Sequence, residues 1–325
     1  MEELKQVRVL QETTLQRSKI KAAIGIDGQS SDGKTGLALE LAYVLAGGNW
    51  KKIYGLDAEN NSMKLYAGER LSSGDVVGEM HYNSLDKDTG YSPFNYEHCQ
   101  KRATELGCEV FIQDSYSHSW FRENGVLDMK TTIETSGDRR YGDNYRAWGH
   151  PVITEAKQLL FELIRNSKLH TISTLRIKDD IILTEDDKGK TKIQKVGLKQ
   201  IQSDGLTYEF DLVVRMVSPG DSNGKPPRVL IEKSRYSIFK KGEEIDFTPE
   251  LMKQLKEYLD DGTNPEEINK AIEKELRESI KTRAKEDRRL LAILKARFPE
   301  KKVAELNLKE LRSLNSDFIE IEYTE

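Results

Sequence analysis

The sequence predicts an α/β fold with a mostly parallel central sheet that is flanked by helices, plus a C-terminal helical appendage. Two observations lead to this prediction. Strand-like apolar runs alternate with helix-forming segments over most of the chain, which is typical of a parallel sheet covered on both faces. After Pro249 the pattern changes to helix, which predicts a separate helical region.

The first predicted strand covers residues 20–26, where an apolar run enters a glycine-rich turn. Helix formers follow from Leu37 to Leu45 and stop at Gly47-Gly48, a typical end of a helix. A short second strand is predicted at 52–56. The first three elements therefore read strand, helix, strand.

The same alternation continues further along the chain. A helix over about 96–106 leads into an apolar strand at 109–113. Residues 152–164 have apolar side chains at helical spacing, and 170–175 form another strand-like run. Short strands and hairpins are predicted to fill 180–240, with a turn signal at Asp186, Lys188 and Gly189.

These elements divide the chain into three predicted regions. Residues 1–19 form a polar lead-in, 20–248 form the α/β core, and 249–325 form a charged, mostly helical region. Within the last region, residues 318–323 alternate between apolar and polar side chains, as in an edge strand. An acidic tail that docks a partner is the other interpretation of this end.

The charge balance excludes one class of protein. The 325 residues include 51 Lys and Arg and 55 Asp and Glu, a formal net charge of −4, which argues against a wholly basic nucleic-acid binder. A local basic patch remains compatible with it, because residues 270–302 carry 12 basic and 6 acidic side chains. A solvated charged helix face is the usual explanation of such a run.

Cysteine content and hydropathy bear on location. Cys99 and Cys108 are too few for a disulfide framework or a four-thiolate zinc site, and the five histidines show no metal-ligand spacing. The N-terminus has no apolar signal core, and no apolar run reaches the length of a membrane span. We therefore expect a cytoplasmic protein without membrane contact.

The strongest motif lies between the first strand and the first helix. Its residues fit the pattern G-x-x-x-x-G-K-[ST] and are followed by Gly36: Gly28, Gln29, Ser30, Ser31, Asp32, Gly33, Lys34 and Thr35. Backbone amides of such a loop and the helix N-terminus bind phosphates, Lys34 reaches the β- and γ-phosphates, and Thr35 ligates Mg²⁺. The alternative is a glycine turn that only caps the helix.

A second carboxylate is needed for the magnesium ion. The apolar strand at 109–113 ends at Asp114, as expected of the strand that supplies this ligand in phosphate-loop enzymes. An aspartate that merely caps the next turn is the alternative.

The position of the water-activating residue distinguishes classes of phosphate-loop enzymes. Ser115, not Glu, follows Asp114, whereas the short predicted strand after the first helix ends in Leu56-Asp57-Ala58-Glu59. This motif resembles that of RecA-like ATPases, and the resemblance implies that Glu59 orients the attacking water. A solvated loop carboxylate is the alternative.

Further motifs narrow the resemblance to phage-encoded RecA-like AAA-type ATPases, over about residues 20–245. In chain order they are Asp114-Ser115, Ser117-His118-Ser119-Trp120, Ala147-Trp148, residues 170–178, residues 196–199 and residues 205–211. The resemblance implies a RecA-like core that binds ATP and Mg²⁺.

The resemblance also implies a role for one pair of basic residues, and the end of the predicted strand beside the phosphate strand offers a second candidate pair. Lys233 and Arg235 would project toward the γ-phosphate of the next subunit, which places the active site between protomers of a ring or filament. Thr174 and Arg176 would be sensors of the γ-phosphate. A basic surface turn and a plain strand end are the respective alternatives.

Arginines and aromatic residues alternate in the segment 115–150. This composition suits single-stranded DNA, through stacking and phosphate contacts, and the candidates are Arg122, Arg139, Arg140 and Arg146. The alternative is a surface insertion whose aromatic side chains pack on the core. The basic stretch 270–302 is a second candidate for DNA contacts.

The functional hypothesis is an ATPase that acts on single-stranded DNA in phage-type recombination, annealing or replication, in the cytoplasm of a bacterial host. Two alternatives remain at this stage. One is a hexameric single-stranded DNA helicase or translocase with the same active site. The other is a nucleotide-gated scaffold that binds protein partners, through the C-terminal region for example, and no DNA.

Overall fold

A computed structural model describes residues 15, 17–165, 168–185 and 191–323. The chain divides into two compact units. We call residues 21–259 the sheet unit, and the described residues of 1–20 and 260–325 the terminal unit. Most of the predicted lead-in, and the turn signal at 186–189, lie outside the described residues.

The described strands form one sheet, with the order β3-β2-β4-β5-β1-β7-β8-β9 and with β6 paired to β5. The first six strands in this order are parallel, whereas β8, β9 and β6 pair antiparallel. The strands are β1 Ala23–Gly28, β2 Ile53–Asp57, β3 His81–Ser84, β4 Val110–Asp114, β5 His170–Glu185, β6 Thr191–Gln200, β7 Leu212–Ser218, β8 Arg228–Ser234 and β9 Glu244–Asp246. The predicted α/β fold with a mostly parallel sheet is confirmed.

The helices begin at recognisable sequence signals. The Ser92 side chain accepts a hydrogen bond from the Phe94 amide at the start of α2, where Pro93 is the first helical residue. The helices of the sheet unit are α1 Lys34–Leu45, α2 Pro93–Glu105, α3 His118–Phe121, α4 Val126–Thr135, α5 Pro151–Arg165 and α6 Pro249–Asp260, and those that follow are α7 Pro265–Glu286, α8 Arg288–Arg297 and α9 Leu308–Tyr323.

The core of the sheet unit has one apolar cluster on each face of the sheet. Successive side chains of a strand point to opposite faces, so Ile112 packs with α1 in one cluster while Phe111 packs with α2 and α5 in the other. Both side chains are fully buried. Helices therefore flank the sheet on both sides, as predicted.

Helix α6 packs with the sheet unit. Its residues Met252, Leu255 and Leu259 recur at helical spacing and are buried in the same cluster as α1. This helix lies within the region 249–325 that the sequence pattern separated from the core. The change from strands to helices along the chain is therefore not the point at which the compact units divide.

The edge strand predicted at 318–323 is wrong, because these residues belong to helix α9. Their alternation is short, whereas Leu311, Leu314, Phe318 and Ile321 recur at the three- and four-residue spacing of a helix. Phe318 is fully buried in the apolar cluster of the terminal unit, which includes Leu276. Burial of the helical stripe decides the conformation of this segment.

No helix among the residues that the structure describes is both long enough and apolar enough to span a membrane.

Ile172 is fully buried in the central strand β5, and we expect Ile172→Ala to lower the free energy of unfolding by about 2–5 kcal/mol. The decrease comes from the missing apolar packing and from the cavity that remains. Denaturant unfolding followed by circular dichroism measures it. Ile238→Ala is the matched control, because Ile238 is 38% exposed and should be destabilised by less than about 1 kcal/mol. Equal destabilisation of the two variants would contradict this description of the core.

Candidate nucleotide-binding site

The glycine-rich loop joins the central strand β1 to helix α1. Gly28 ends β1, and Lys34 is the first residue of α1. Gly33 has a positive φ of 87°, and a Cβ there would lie 2.7 Å from the Cβ of Pro219, so the position requires glycine. Within the loop, the Gln29 amide donates to Asp32 Oδ2 at 2.5 Å. The first turn of α1 therefore begins directly at the loop, as a phosphate site requires.

Lys34 lies across the loop that contains it. Its Nζ donates to the carbonyl oxygens of Gly28 at 3.1 Å and Gln29 at 2.5 Å. Burial lowers the pKa of Lys34, although the nearby carboxylates of Asp114 and Asp32 oppose this shift. The ammonium group is thus held over the loop by neutral acceptors, which an anionic ligand could replace.

Asp114, the last residue of β4, is the most buried charged group of the site. Its Oδ2 accepts a hydrogen bond from the Thr35 hydroxyl at 2.6 Å, and its Oδ1 accepts one from the Thr174 hydroxyl. The side chain is 1% exposed, and burial raises its pKa to about 6 in spite of the two hydroxyl donors. The predicted magnesium ligands Thr35 and Asp114 are therefore in direct contact.

A magnesium ion fits this donor set. Mg²⁺ is usually held by one or two protein oxygens together with substrate phosphates and water. Within the described ranges, no group of three or more His, Cys, Asp or Glu side chains is placed to hold a metal ion. A magnesium site here would therefore depend on the phosphates of a bound nucleotide.

Glu59 and Arg176 meet beside Asp114. Strand β2 pairs with β4 with Asp57 opposite Asp114, so the turn after β2 carries Glu59 to the same edge of the sheet. The Arg176 Nε donates to Glu59 Oε1 at 2.8 Å, and its Nη2 donates to Oε2. This bidentate ion pair joins a predicted water-activating residue to a predicted phosphate sensor, which the sequence did not indicate.

The Glu59 carboxyl is ionised in this arrangement. Burial raises the pKa of Glu59, but the hydrogen bonds from Arg176 and the positive charges of Arg176 and Lys34 oppose burial, and the pKa lies below its usual value. The Arg176 guanidinium is correspondingly held in its charged form, with a raised pKa, by Glu59. Each partner therefore keeps the other charged.

His118 supports the turn that carries Glu59. Its Nδ1 lies 2.7 Å from the Ala58 carbonyl oxygen, and its Nε2 lies 3.8 Å from Glu59 Oε1. Burial lowers the pKa of His118 to about 4, so the ring is neutral at neutral pH and Nδ1 donates to the Ala58 carbonyl. His118 is thus a positioning residue for Glu59.

A cleft of about 910 Å³ runs along the loop. Every residue of the motif except Asp32 lines it, together with Gly36, Glu59, Asp114 and Arg176. The sequence analysis did not single out the other lining residues, among them Glu40, Tyr66 and Pro219. Helical spacing from Gly36 could have indicated Glu40, whereas the fold brings the other two to the cleft from distant segments.

Lys233 and Arg235 lie away from the phosphate loop of their own chain. Lys233, on β8, is opposite Val213 of β7, and Val213 is opposite Gly25, well before the end of β1. The Lys233 Nζ donates to the carbonyl oxygens of Thr207, Tyr208 and Phe210 at 2.6–2.9 Å. The Arg235 guanidinium donates to Asp211 Oδ1 at 3.1 Å and to the Tyr208 carbonyl oxygen at 2.8 Å. Neither residue lines the cleft.

The predicted DNA-contacting arginines are exposed but differ in their neighbours. Arg140 pairs with Asp138 at 2.8 Å, and Arg146 pairs with Asp143 at 2.7 Å. The Arg122 guanidinium lies 6.0 Å from the ring centroid of Tyr91, and the Arg139 side chain has no ion pair with any described residue. The four guanidinium groups therefore do not form one uniformly free positive surface.

The two tryptophans of this segment pack inward. Trp120 and Trp148 stack with their ring centroids 6.0 Å apart, and both contact the apolar cluster formed with α2 and α5. Tyr145, in contrast, is 88% exposed. The alternative interpretation, packing on the core, therefore describes the tryptophans.

Comparisons with known proteins do not assign this chain to a family. No protein-family model matches it, and no curated protein shows significant similarity to it. The resemblance to RecA-like ATPases thus rests on the residues of this chain.

Asp114 should make the stability of the free protein depend on pH. The pKa of Asp114 is about 6 in the folded protein, above the value of 3.8 for an unperturbed aspartate. The contribution of this carboxyl to the free energy of unfolding is therefore complete below about pH 4 and is lost as pH rises through 6. Asp114→Asn removes the buried charge. We compare the free energy of unfolding of Asp114→Asn with that of the wild type. From about pH 4 to pH 8, the variant should become more stable relative to the wild type by on the order of 2–3 kcal/mol.

Denaturant titrations at several pH values measure this difference. Asp138→Asn is the control, because hydrogen bonds from Arg140 lower the pKa of Asp138 to about 2. The contribution of Asp138 to the free energy of unfolding is present above its unfolded pKa and is lost only as pH falls toward 2. Above about pH 5, the curve of unfolding free energy against pH should therefore be parallel for Asp138→Asn and the wild type. A parallel curve for Asp114→Asn would contradict the description of its carboxyl.

Proposed function

We propose that this protein is a RecA-like ATPase that binds ATP with Mg²⁺ and hydrolyses it. The observation that carries the proposal is the convergence of Lys34, Thr35 and Asp114 at the glycine-rich loop, with Thr35 and Asp114 2.6 Å apart. A loop of amides, a lysine, a hydroxyl and a buried carboxylate is the combination that phosphoryl transfer from a nucleoside triphosphate needs.

The loop residues bind and orient the triphosphate in this proposal. The amides of the loop and the first turn of α1 receive the phosphate oxygens, and Lys34 exchanges its two carbonyl acceptors for the β- and γ-phosphates. Thr35 and Asp114 would hold Mg²⁺, which when bound neutralises charge on the phosphates. Asp114 must be ionised for this role, and a cation beside it would favour the ionised form.

Glu59 is the proposed general base. It accepts a proton from water while the water oxygen bonds to the γ-phosphorus and the bond to the β-phosphate oxygen breaks, which leaves ADP and phosphate. Glu59 follows the strand that neighbours the Asp114 strand, which is the arrangement that the resemblance implies.

The ion pair with Arg176 bears directly on this role. Arg176 donates one hydrogen bond to each oxygen of Glu59 and favours its ionised form, so a weaker pair would make Glu59 a stronger base. Arg176 lines the same cleft, and an anionic γ-phosphate would compete with Glu59 for its guanidinium group. Arg176, with Thr174 beside Asp114, would thereby sense the γ-phosphate.

An active site between protomers is part of the proposal. Lys233 and Arg235 lie toward the amino-terminal ends of β1 and β7, whereas the loop leaves the carboxyl end of β1. They could therefore act only on the γ-phosphate of another protomer, in a ring or filament. Exchange of their present carbonyl and carboxylate acceptors for phosphate oxygens would accompany assembly.

The proposed target of the ATPase is single-stranded DNA, in phage-type recombination, annealing or replication. Exposed arginines after β4 support phosphate contacts, above all Arg139, which pairs with no described carboxylate. A hexameric helicase or translocase would use the same site, and strand unwinding would distinguish it. A nucleotide-gated scaffold would hydrolyse ATP without any response to DNA.

We expect Glu59→Gln to bind ATP as the wild type does and to lower turnover by on the order of 10²–10⁴, because the amide cannot accept the proton of the attacking water. Nucleotide binding and phosphate release, measured on the same preparation, separate the two effects. Glu123→Gln is the control, since Glu123 is exposed and does not line the cleft.

Normal turnover by Glu59→Gln would contradict its role as the base. Lys34→Ala tests the whole proposal, because removal of the loop cation should abolish tight binding of the triphosphate. If Lys34→Ala binds and hydrolyses ATP as well as the wild type, the protein is not the proposed ATPase.

The DNA hypothesis predicts that the double variant Arg139→Ala/Arg140→Ala binds single-stranded DNA more weakly. The slope of log affinity against log salt should fall by about 0.7 for each phosphate that the variant no longer neutralises. The matched control is Lys101→Ala/Arg102→Ala, an exposed basic pair on α2. A wild-type protein that neither binds single-stranded DNA at low salt nor responds to it in phosphate release would favour the scaffold.

A further inference from the structure

Glu40 is a buried carboxyl on the wall of the cleft. The side chain is 4% exposed, and its Oε1 accepts hydrogen bonds from the Ser72 hydroxyl at 2.6 Å and the Ser73 amide at 3.2 Å. Its Oε2 is also buried and has no hydrogen-bond partner among the described residues. Buried polar atoms normally have a partner, so this oxygen indicates a missing donor.

The position of Glu40 along α1 indicates where that donor comes from. Glu40 lies one helical turn beyond Gly36 and on the same face of the helix. Gly36 has no side chain to cover this face, and Tyr66 lies against it, 3.6 Å from where a Cβ would be. Gly36, Tyr66 and Glu40 all line the cleft, so a ligand whose phosphates are held at the start of α1 and which extends along this face would pass Tyr66 and meet Glu40.

We propose that Glu40 Oε2 accepts a hydrogen bond from the exocyclic amine of the nucleotide base, and that this contact selects adenine over guanine. The inference rests on the proposed function, because it requires a nucleoside triphosphate in the cleft.

The hydrogen bonds of Glu40 explain the direction of the selection. Since Ser72 and Ser73 occupy Oε1, only one carboxylate oxygen is available. Adenine presents a single amine donor, which one oxygen satisfies. Guanine has a carbonyl oxygen where adenine has the amine, and this oxygen cannot donate to Oε2. The ring N1–H and the exocyclic amine of guanine lie side by side and would need both oxygens of a carboxylate as acceptors.

The protonation of Glu40 fits the same interpretation. Burial raises the pKa of Glu40, although the hydrogen bonds from Ser72 and Ser73 oppose the shift. A base amine that donates to Oε2 would favour the ionised form further. In the free protein the Oε2 atom of Glu40 has no hydrogen-bond partner among the described residues, whichever way burial shifts the group.

The first arm of the test uses the wild-type full chain. Isothermal titration calorimetry in the presence of Mg²⁺ gives the dissociation constants of three triphosphates. They are ATP, GTP and purine riboside triphosphate, which lacks the exocyclic amine. We expect ATP to bind about 10-fold or more tightly than either analogue, because each leaves the buried Oε2 without its donor. This arm does not depend on the folding of any variant.

The second arm uses Glu40→Gln. When the amide oxygen keeps the bonds from Ser72 and Ser73, the amide nitrogen replaces Oε2 and becomes a donor. The preference for ATP over GTP should then fall by about 10-fold or more, and GTP should gain through its carbonyl oxygen. Asp75→Asn is the control, because Asp75 is a carboxylate near Glu40 that does not line the cleft.

The outcomes separate this inference from the proposed function. If wild-type protein binds none of the triphosphates, the proposed function is wrong and the inference falls with it. If it binds ATP and purine riboside triphosphate equally well, the role of Glu40 alone is overturned. The same conclusion follows if folded Glu40→Gln, verified by circular dichroism, keeps the wild-type preference for ATP.

Discussion

The candidate site is organised around the buried carboxylate of Asp114 and the hydrogen bonds that it accepts from Thr35 and Thr174. A carboxylate that is 1% exposed is costly unless hydrogen bonds replace its water, and the hydroxyls of Thr35 and Thr174 do so here. These donors come from α1 and β5, while Asp114 itself ends β4. One carboxylate thus fixes the start of the loop helix against two neighbouring strands, and it does so where a magnesium ion would need its ligands.

The charges around this carboxylate are balanced within the chain. Lys34 donates to carbonyl oxygens of its own loop, and Arg176 forms a bidentate pair with Glu59. The cations of the cleft are therefore satisfied without a ligand, by acceptors that phosphate oxygens can displace. Under the proposed function, a bound triphosphate would compete for both cations, and the Glu59–Arg176 pair would link phosphate binding to the basicity of Glu59.

The net charge of the chain says little about its surface, because local pairing decides which cations are available. Arg140 and Arg146 each pair with an aspartate within three residues, whereas Arg139 next to them pairs with no carboxylate of the described residues. Lys233 and Arg235 are held by the turn that contains Tyr208. The basic residues that a sequence motif singles out thus differ in how readily they can meet phosphates.

Local patterns in the amino-acid sequence were enough to predict the features that depend on neighbouring residues. The alternation of strands and helices predicted the mostly parallel sheet, and eight consecutive residues defined the glycine-rich loop, because such a loop is built from local backbone geometry. Short patterns were less reliable: six alternating residues at 318–323 indicated a strand, and burial of Phe318 made them helical.

Contacts between side chains that are far apart along the chain follow from the order of the strands. The order of the strands places β2 and β5 on the two sides of β4, and this brings Arg176 to Glu59, 117 residues away along the chain. Ser72 reaches Glu40 in the same way, from a turn 32 residues away. Such contacts leave no periodic signal in the sequence, because crossovers between parallel strands join segments whose local patterns are independent.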